Sequence, residues 1–328
     1  MKRRDFITLL GGAAAAWPLA ARAQQPAMPV VGFLHDGTSD ARAHLAAAFR
    51  EGLSEAGFVD RRNVVIEYRW GQDQFDRVPA LVAELVQRQV AVIATPGSAT
   101  AALAAKAATS TIPIVFSVGS DPVKLGLVES LNRPGGNATG VSLIDVEVIA
   151  KRIQLLHQLS PGASSIALLV NPNNRIVAEA ETREAQAAAH ALGLDLLVLQ
   201  ASKAEEIPVS IAALLRRQPS VLLVSMESFF FTVQDQLIDL ATQNKIAMSI
   251  SVREAVRKGA LFSYGPDLID AFRQVGIYAG RLLRGESPAD LPVQRSIRFS
   301  LVINLRTAKA LGLEVPPQLL ARADEVIE

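Results

Sequence analysis

Polar and small residues gather at a few places in this 328-residue chain, each directly after a short apolar run. His35, Asp36 and Thr38 follow the run that begins at Val30. Gly97, Ser98 and Thr100 follow a second run, and Gly119, Ser120 and Asp121 a third. Ser142 ends another, Asn171-Pro172-Asn173-Asn174 follows Val170, Glu227 and Ser228 follow Ser225, and Tyr264 with Gly265 closes the last. Free N–H groups at a helix start, with the Ser98 and Thr100 hydroxyls beside them, accept a carboxylate. Asp121 or Glu227 takes an ammonium group. The set suits a zwitterion or another small polar acid. Three or four charge-assisted hydrogen bonds of about 1.5–3 kcal/mol each, with some apolar burial, reach micromolar affinity.

Each of these residues also has a plainer use. Ser120 or Asp121 before Pro122 has the form of a helix N-cap, and so does Ser98. Asn171-Pro172-Asn173 is a turn signal. Phe229-Phe230-Phe231 cannot all face one core, so one of them is available to line a cleft. Tyr264 fits a ligand platform and a packing residue equally.

Other chemistry is missing from the sequence. The first apolar run leads into Gly32-Phe33-Leu34-His35-Asp36-Gly37, which is not the glycine pattern of a dinucleotide site. There is no Walker loop and no nucleophile elbow. Of the four histidines, His44, His157 and His190 fall in helical segments with no partner at metal-ligand spacing. His35-Asp36 would serve as an acid–base pair, but neighbours on an extended segment point to opposite sides. The sequence asks for no cofactor, no metal and no catalysis.

The elements that must position these residues alternate. Val30–Leu34, Val64–Tyr68, Val90–Ala94, Ile112–Val118 and Gly140–Leu143 read as strands. A second series is Ser165–Val170, Leu194–Leu199, Val221–Ser225, Ile246–Ile250 and Ala260–Ser263. Runs such as Ile166–Val170 are apolar throughout, the pattern of a parallel strand covered on both faces. Between them lie helical stripes such as Leu45, Phe49, Leu53 and Val78, Leu81, Val82, Leu85, Val86. Gly57 and Gly193 mark helix ends, and Pro79, Pro122 and Pro208 mark helix starts. Repeated strand–helix–strand units predict right-handed crossovers and an α/β fold. Because ligands bind outside the carboxyl ends of such strands, the polar clusters above sit where a ligand would.

A turn-rich seam, Asn132-Arg133-Pro134-Gly135-Gly136-Asn137, divides the series. The expected architecture is two doubly wound Rossmann-like lobes. Residues 29–142 plus about 266–295 form an N-terminal lobe, and 143–264 plus about 298–328 a C-terminal lobe. A long helix, Val146–Leu159, opens the second lobe. The chain recrosses near Ser263–Pro266 and near Arg295–Ser300, flanking a helix Asp267–Arg284 and a strand Ser296–Asn304, and the three crossings make a hinge.

Residues 1–23 read as a leader. Lys2, Arg3 and Arg4 precede a short, weakly apolar run, and Ala21-Arg22-Ala23 supplies small residues for cleavage before Gln24. Arg3-Arg4-Asp5-Phe6-Ile7 has the form of a twin-arginine signal. Cleavage removes four basic residues and one acidic one, so the formal charge of +1 becomes −2. Such a balance argues against nucleic acid and against a polybasic membrane anchor. The chain has no cysteine, hence no disulfide and no lipidated cysteine.

Asp121-Pro122-Val123-Lys124-Leu125-Gly126-Leu127-Val128, the stretch Leu131–Ser142, Val170-Asn171-Pro172-Asn173, Ser263-Tyr264-Gly265, and Val302-Ile303-Asn304-Leu305 through Ala308–Leu313 carry a resemblance that runs the length of the chain. The chain resembles the ABC transporter substrate-binding protein family that includes tryptophan- and tyrosine-binding lipoproteins. The resemblance implies a type I periplasmic-binding fold with a three-strand hinge and a small-molecule ligand, an amino acid or similar, in the cleft. It further implies an ABC permease and its ATPase as partners. Characterised relatives are often lipoproteins; the leader and the absence of cysteine here predict instead a monomer free in the periplasm. A periplasmic sensor subunit and an exported α/β hydrolase are the alternatives.

Overall fold

The computed structural model describes residues 28–143, 147–217, 221–295 and 299–328. The expected leader, 1–23, lies outside them, as do the middle of the 295–300 crossing and the residues just before the 147–159 helix.

In chain order the first lobe contains β1 (Val30–His35), α1 (Ser39–Glu55), β2 (Val65–Trp70), α2 (Val78–Gln87), β3 (Val92–Pro96), α3 (Ala99–Ala108), β4 (Ile114–Val118) and β5 (Ala138–Ser142). The second contains α4 (Glu147–Leu159), β6 (Ser165–Val170), α5 (Arg175–Ala191), β7 (Asp195–Gln200), α6 (Ile207–Arg217), β8 (Val221–Val224), α7 (Ser228–Thr232), α8 (Gln234–Gln243), β9 (Ala247–Ser249), α9 (Arg253–Lys258) and β10 (Phe262–Pro266). Then come α10 (Leu268–Leu283), β11 (Gln294–Arg295), β12 (Phe299–Asn304), α11 (Leu305–Ala310), α12 (Pro317–Leu320) and β13 (Glu325–Ile327).

Two sheets result. One has the order β11-β5-β4-β3-β1-β2 and is parallel throughout. The other has the order β13-β12-β10-β9-β8-β6-β7 and is parallel except where β10 meets β12. Burial on both faces explains the unbroken apolar strands. Phe33 and Val115 pack in the cluster under α1 and α10, while Leu34 and Phe116 pack under α2 and α3. Leu168 and Ala167 divide the same way in the second lobe.

The chain leaves the second sheet at Pro266, and α10 returns to pack on α1 of the first lobe. Backbones touch there: a Cβ on Gly276 would lie 2.1 Å from the Phe49 carbonyl oxygen, and one on Gly52 1.8 Å from that of Arg273. Arg273 pairs with Glu55 at 2.6 Å across the same seam.

Three local expectations change. Pro122 starts no helix: 121–127 is a set of turns ended by Gly126 at φ +72°, where the Leu127 N–H reaches back to the Pro122 carbonyl. Tyr264 lies within β10, opposite Leu301, because the antiparallel pairing with β12 extends that strand to Pro266. His35 and Asp36 do touch, because β1 ends at His35 and the following bend breaks the alternation. No helix among the described residues is long and apolar enough to cross a membrane.

Candidate ligand-binding cleft

The carboxyl ends of β1, β3 and β4 face those of β6 and β8 across a cavity of about 440 Å³. From the first lobe it is lined by Asp36, Gly97, Gly119, Ser120, Asp121 and, from helices, by Arg42 of α1 with Leu268 and Phe272 of α10. From the second it is lined by Val148 and Ile149 of α4, Asn174, one face of α5, Met226, Glu227 and Phe231.

Seven of the residues that the sequence gathers at strand ends thus line the cavity: Asp36, Gly97, Gly119, Ser120, Asp121, Asn174 and Glu227. Others stand behind it. Ser98 caps α3 by accepting from the Ala101 N–H (3.0 Å) and donates to Asp36 Oδ2 (2.7 Å). Thr100 lies in the first turn of α3. Ser142 is buried at the end of β5, and its neighbour Leu143 lines the cavity instead. Asn171 donates to Glu227 Oε2 (3.2 Å) and accepts from the Asn173 N–H, serving both as turn former and as support for Glu227. Tyr264 stacks on Phe299, 6.0 Å between ring centroids.

His35 is completely buried between Trp70 and Phe272. Its Nδ1 accepts from the Gly37 N–H at 2.8 Å and lies 3.2 Å from Asp36 Oδ1. Burial pushes its pKa down to about 4, against the pull of Asp36 and with the push of Arg42. The neutral ring therefore carries its proton on Nε2, which has no partner among the described residues. It braces the wall beside Gly97, where a Cβ would meet the Phe272 ring at 3.1 Å.

Arg42 is the residue that sequence reasoning missed. It is 5% exposed, and its guanidinium lies 4.4 Å from the centre of the Phe231 ring of the other lobe. It makes no hydrogen bond or ion pair among the described residues. Burial lowers its pKa while Asp36, Asp73 and Glu227 raise it. The signal was present: Arg42 continues the Leu45, Phe49, Leu53 stripe one turn toward the N-terminus, putting a cation on a buried face. Glu181 on α5 occupies the same kind of position between Ala178 and Ala185.

Glu227 is 2% exposed and caps α7 through the Phe229 N–H. Burial, then the nearby Asp36, pushes its pKa up to about 8, against the bonds from Asn171 and Phe229. Its Oε1 has no hydrogen bond among the described residues. Of the three phenylalanines that follow, Phe229 and Phe230 enter the core and Phe231 turns to the cleft. A second contact closes the lobes at the rim, where the Thr232 hydroxyl donates to Asp73 Oδ2 at 3.1 Å. No group of three or more metal-ligating side chains occurs among the described residues. A buried cation on one wall of the cavity thus faces buried carboxyls on the other.

The profile of the family described as ABC transporter substrate binding protein matches residues 31–327, and the chain belongs to that family. A tyrosine-binding protein of Clostridioides difficile (strain R20291) is 28% identical over 269 residues, which cover 81% of this chain and 76% of that protein. A conserved domain protein from Vibrio cholerae superposes with a TM-score of 0.83 at 25% identity, over 92% of this chain and 100% of the other. A Streptococcus pneumonia ABC domain in complex with L-Trp gives a TM-score of 0.83 at 23% identity, with the same coverage. The fold is that of type I periplasmic binding proteins, and the role of the chain is solute binding.

Proposed function

We propose that this member of the ABC transporter substrate-binding family captures an amino acid or similar small zwitterion and hands it to a membrane permease and its ATPase. One observation carries the reading. Arg42 from one lobe and Glu227 from the other are both buried against the same cavity, the Arg42 guanidinium lying on the Phe231 ring and Glu227 Oε1 having no hydrogen-bond partner among the described residues. Arg42 takes the solute carboxylate on its planar fork, and Glu227 with Asp36 takes the ammonium group. An unpaired buried charge is costly, so the solute replaces what closure removes from water.

Because the two halves of the site belong to different lobes, a bound solute favours the closed arrangement. It does so only by its differential affinity for that state. A shift from 1:99 to 99:1 requires about 5.5 kcal/mol, more than one charge-assisted hydrogen bond supplies, so both walls must contribute. The name of the C. difficile relative supports an amino acid as the solute. The leader-like residues 1–23, with their paired arginines, support export to the periplasm.

The test is a thermal-shift screen of the full chain against L-amino acids, small acids, purines and sugars. A ligand at 100 times its Kd adds about 2.7 kcal/mol and raises the melting temperature visibly. Stabilisation by no amino acid overturns the proposed solute class. Turnover of a bound solute would mark an enzyme instead.

A further inference from the structure

We propose that the solute carries a second cationic group, as an amino acid with a basic side chain does, and that the Glu181–Glu184 face of α5 receives it. This rests on the cleft reading above and adds the chemistry of the solute's far end.

Val177, Ala180, Glu181 and Glu184 stand at i, i+3, i+4 and i+7, so they form one stripe of α5, and all four line the cavity. The stripe begins apolar and ends in two carboxyls, an arrangement that matches a methylene stem with a charged tip. Glu181 is 8% exposed. Its Oε1 accepts from the Met226 N–H at 3.0 Å, and its Oε2 is buried, with the Ser225 hydroxyl beside the carboxyl but outside regular hydrogen-bond geometry.

The charges decide between a neutral and a basic solute side chain. Three nearly buried carboxyls line the cavity (Asp36, Glu181 and Glu227) against one nearly buried cation, Arg42. A zwitterion held by Arg42 and Glu227 brings nothing to the Glu181 and Glu184 carboxyls, and a second cation on the solute pairs with them. Burial, then Glu181, pushes the half-buried Glu184 up to about 7, and burial also raises Glu181. The basic groups facing this pair are Arg183 on the same helix and Lys124 from the opposite wall, both exposed residues that line the cavity, and the buried Arg152 of α4, whose guanidinium donates to the Val224 and Ser249 carbonyls. All three act against the rise in the two carboxyls without reversing it. A cation arriving between Glu181 and Glu184 displaces the proton they hold.

The experiment is calorimetry on the full chain with L-lysine, L-ornithine and L-arginine against L-norleucine, L-tyrosine and L-tryptophan. The basic set is expected to bind at least about ten-fold more tightly than norleucine, which has the lysine stem without the ammonium group. Glu184→Gln should cut that preference about five-fold or more. Lysine binding at pH 7 should release protons, read as a heat that varies with the buffer's ionisation enthalpy, and the release should shrink in the variant. Norleucine or tyrosine binding as tightly as lysine, or an unchanged preference in Glu184→Gln, would overturn the basic-solute inference while leaving the cleft reading intact. Binding by neither set removes both.

Discussion

The two lobes meet the cleft with the same kind of element, the end of a parallel strand, yet with different chemistry. On the first lobe's wall the polar loop tips are mostly occupied by their own backbone. Ser98 caps α3 and holds Asp36, Asp121 Oδ1 accepts from Val123 and Lys124 N–H groups, and the Ser117 hydroxyl accepts from Gly97. The group left over is Arg42, on a helix. On the second lobe's wall Glu181 and Glu227 each keep a buried oxygen outside regular hydrogen-bond geometry, and burial raises the pKa of both, that of Glu227 to about 8. Strand-end loops here build the scaffold. In the proposed site, recognition falls to side chains placed on buried helix faces or at a helix start where capping uses only part of a carboxyl.

The largest effect that would break this contrast is at Arg42. Arg42→Ala should weaken amino-acid binding about a hundred-fold or more, the loss of two charge-assisted hydrogen bonds of about 1.5–3 kcal/mol each. Calorimetry reads it, and a change below three-fold would mean the first wall works through its loops after all.

Gly276→Ala probes what holds Arg42 in place. The added methyl would collide with the Phe49 carbonyl and force α10 off α1, at a cost of about 3 kcal/mol in urea unfolding. A stability unchanged within 0.5 kcal/mol would show the seam to be adjustable.

Glu227→Gln should cost about ten-fold in affinity for a solute with an ammonium group. It also changes the pH response of the free protein. Folded Glu227 keeps its proton up to about pH 8, whereas the unfolded chain releases it near 4.5. Its contribution is therefore full below about pH 4.5 and is lost as pH rises through 8. His35, depressed to about 4, acts oppositely between about pH 4 and 6.5 and is common to both proteins. The melting temperature of the wild type should consequently fall more steeply from pH 6.5 to 8.5 than that of Glu227→Gln. Parallel curves would place Glu227 as an ordinary ionised carboxylate.

Smallest is Ser98→Ala. Loss of the cap should cost about 1 kcal/mol of stability and at most a few-fold in affinity. A loss as large as that of Arg42→Ala would make Ser98 a direct ligand and erase the difference between the walls.

Much of the scaffold was legible beforehand. The unbroken apolar run Ile166–Val170 could only be a strand covered on both faces, and Ser165–Val170 is the observed β6. The stripe through Leu45, Phe49 and Leu53 marks the buried face of α1. Tyr264 was harder, because its place depends on pairing with Leu301, nearly forty residues away. The site was legible by position and less so by residue. Asp36 and Glu227 line the cavity as expected, but polar loop residues look alike whether they cap a helix or face a ligand. Arg42 was overlooked because a lone arginine in an amphipathic helix is usually a solvated one.

The sequence by itself determined periodicity, strand and helix order, the doubled α/β plan and the clustering of polar residues after strands, since these follow from local pattern and from apolar burial. Only the tertiary structure decided which polar atoms are already satisfied. That depends on partners far apart along the chain: Ser98 with Asp36, Asn171 with Glu227, Arg42 with the Phe231 face. A buried group's readiness to bind a solute is set by what the rest of the fold fails to give it, and no local stretch of residues carries that information.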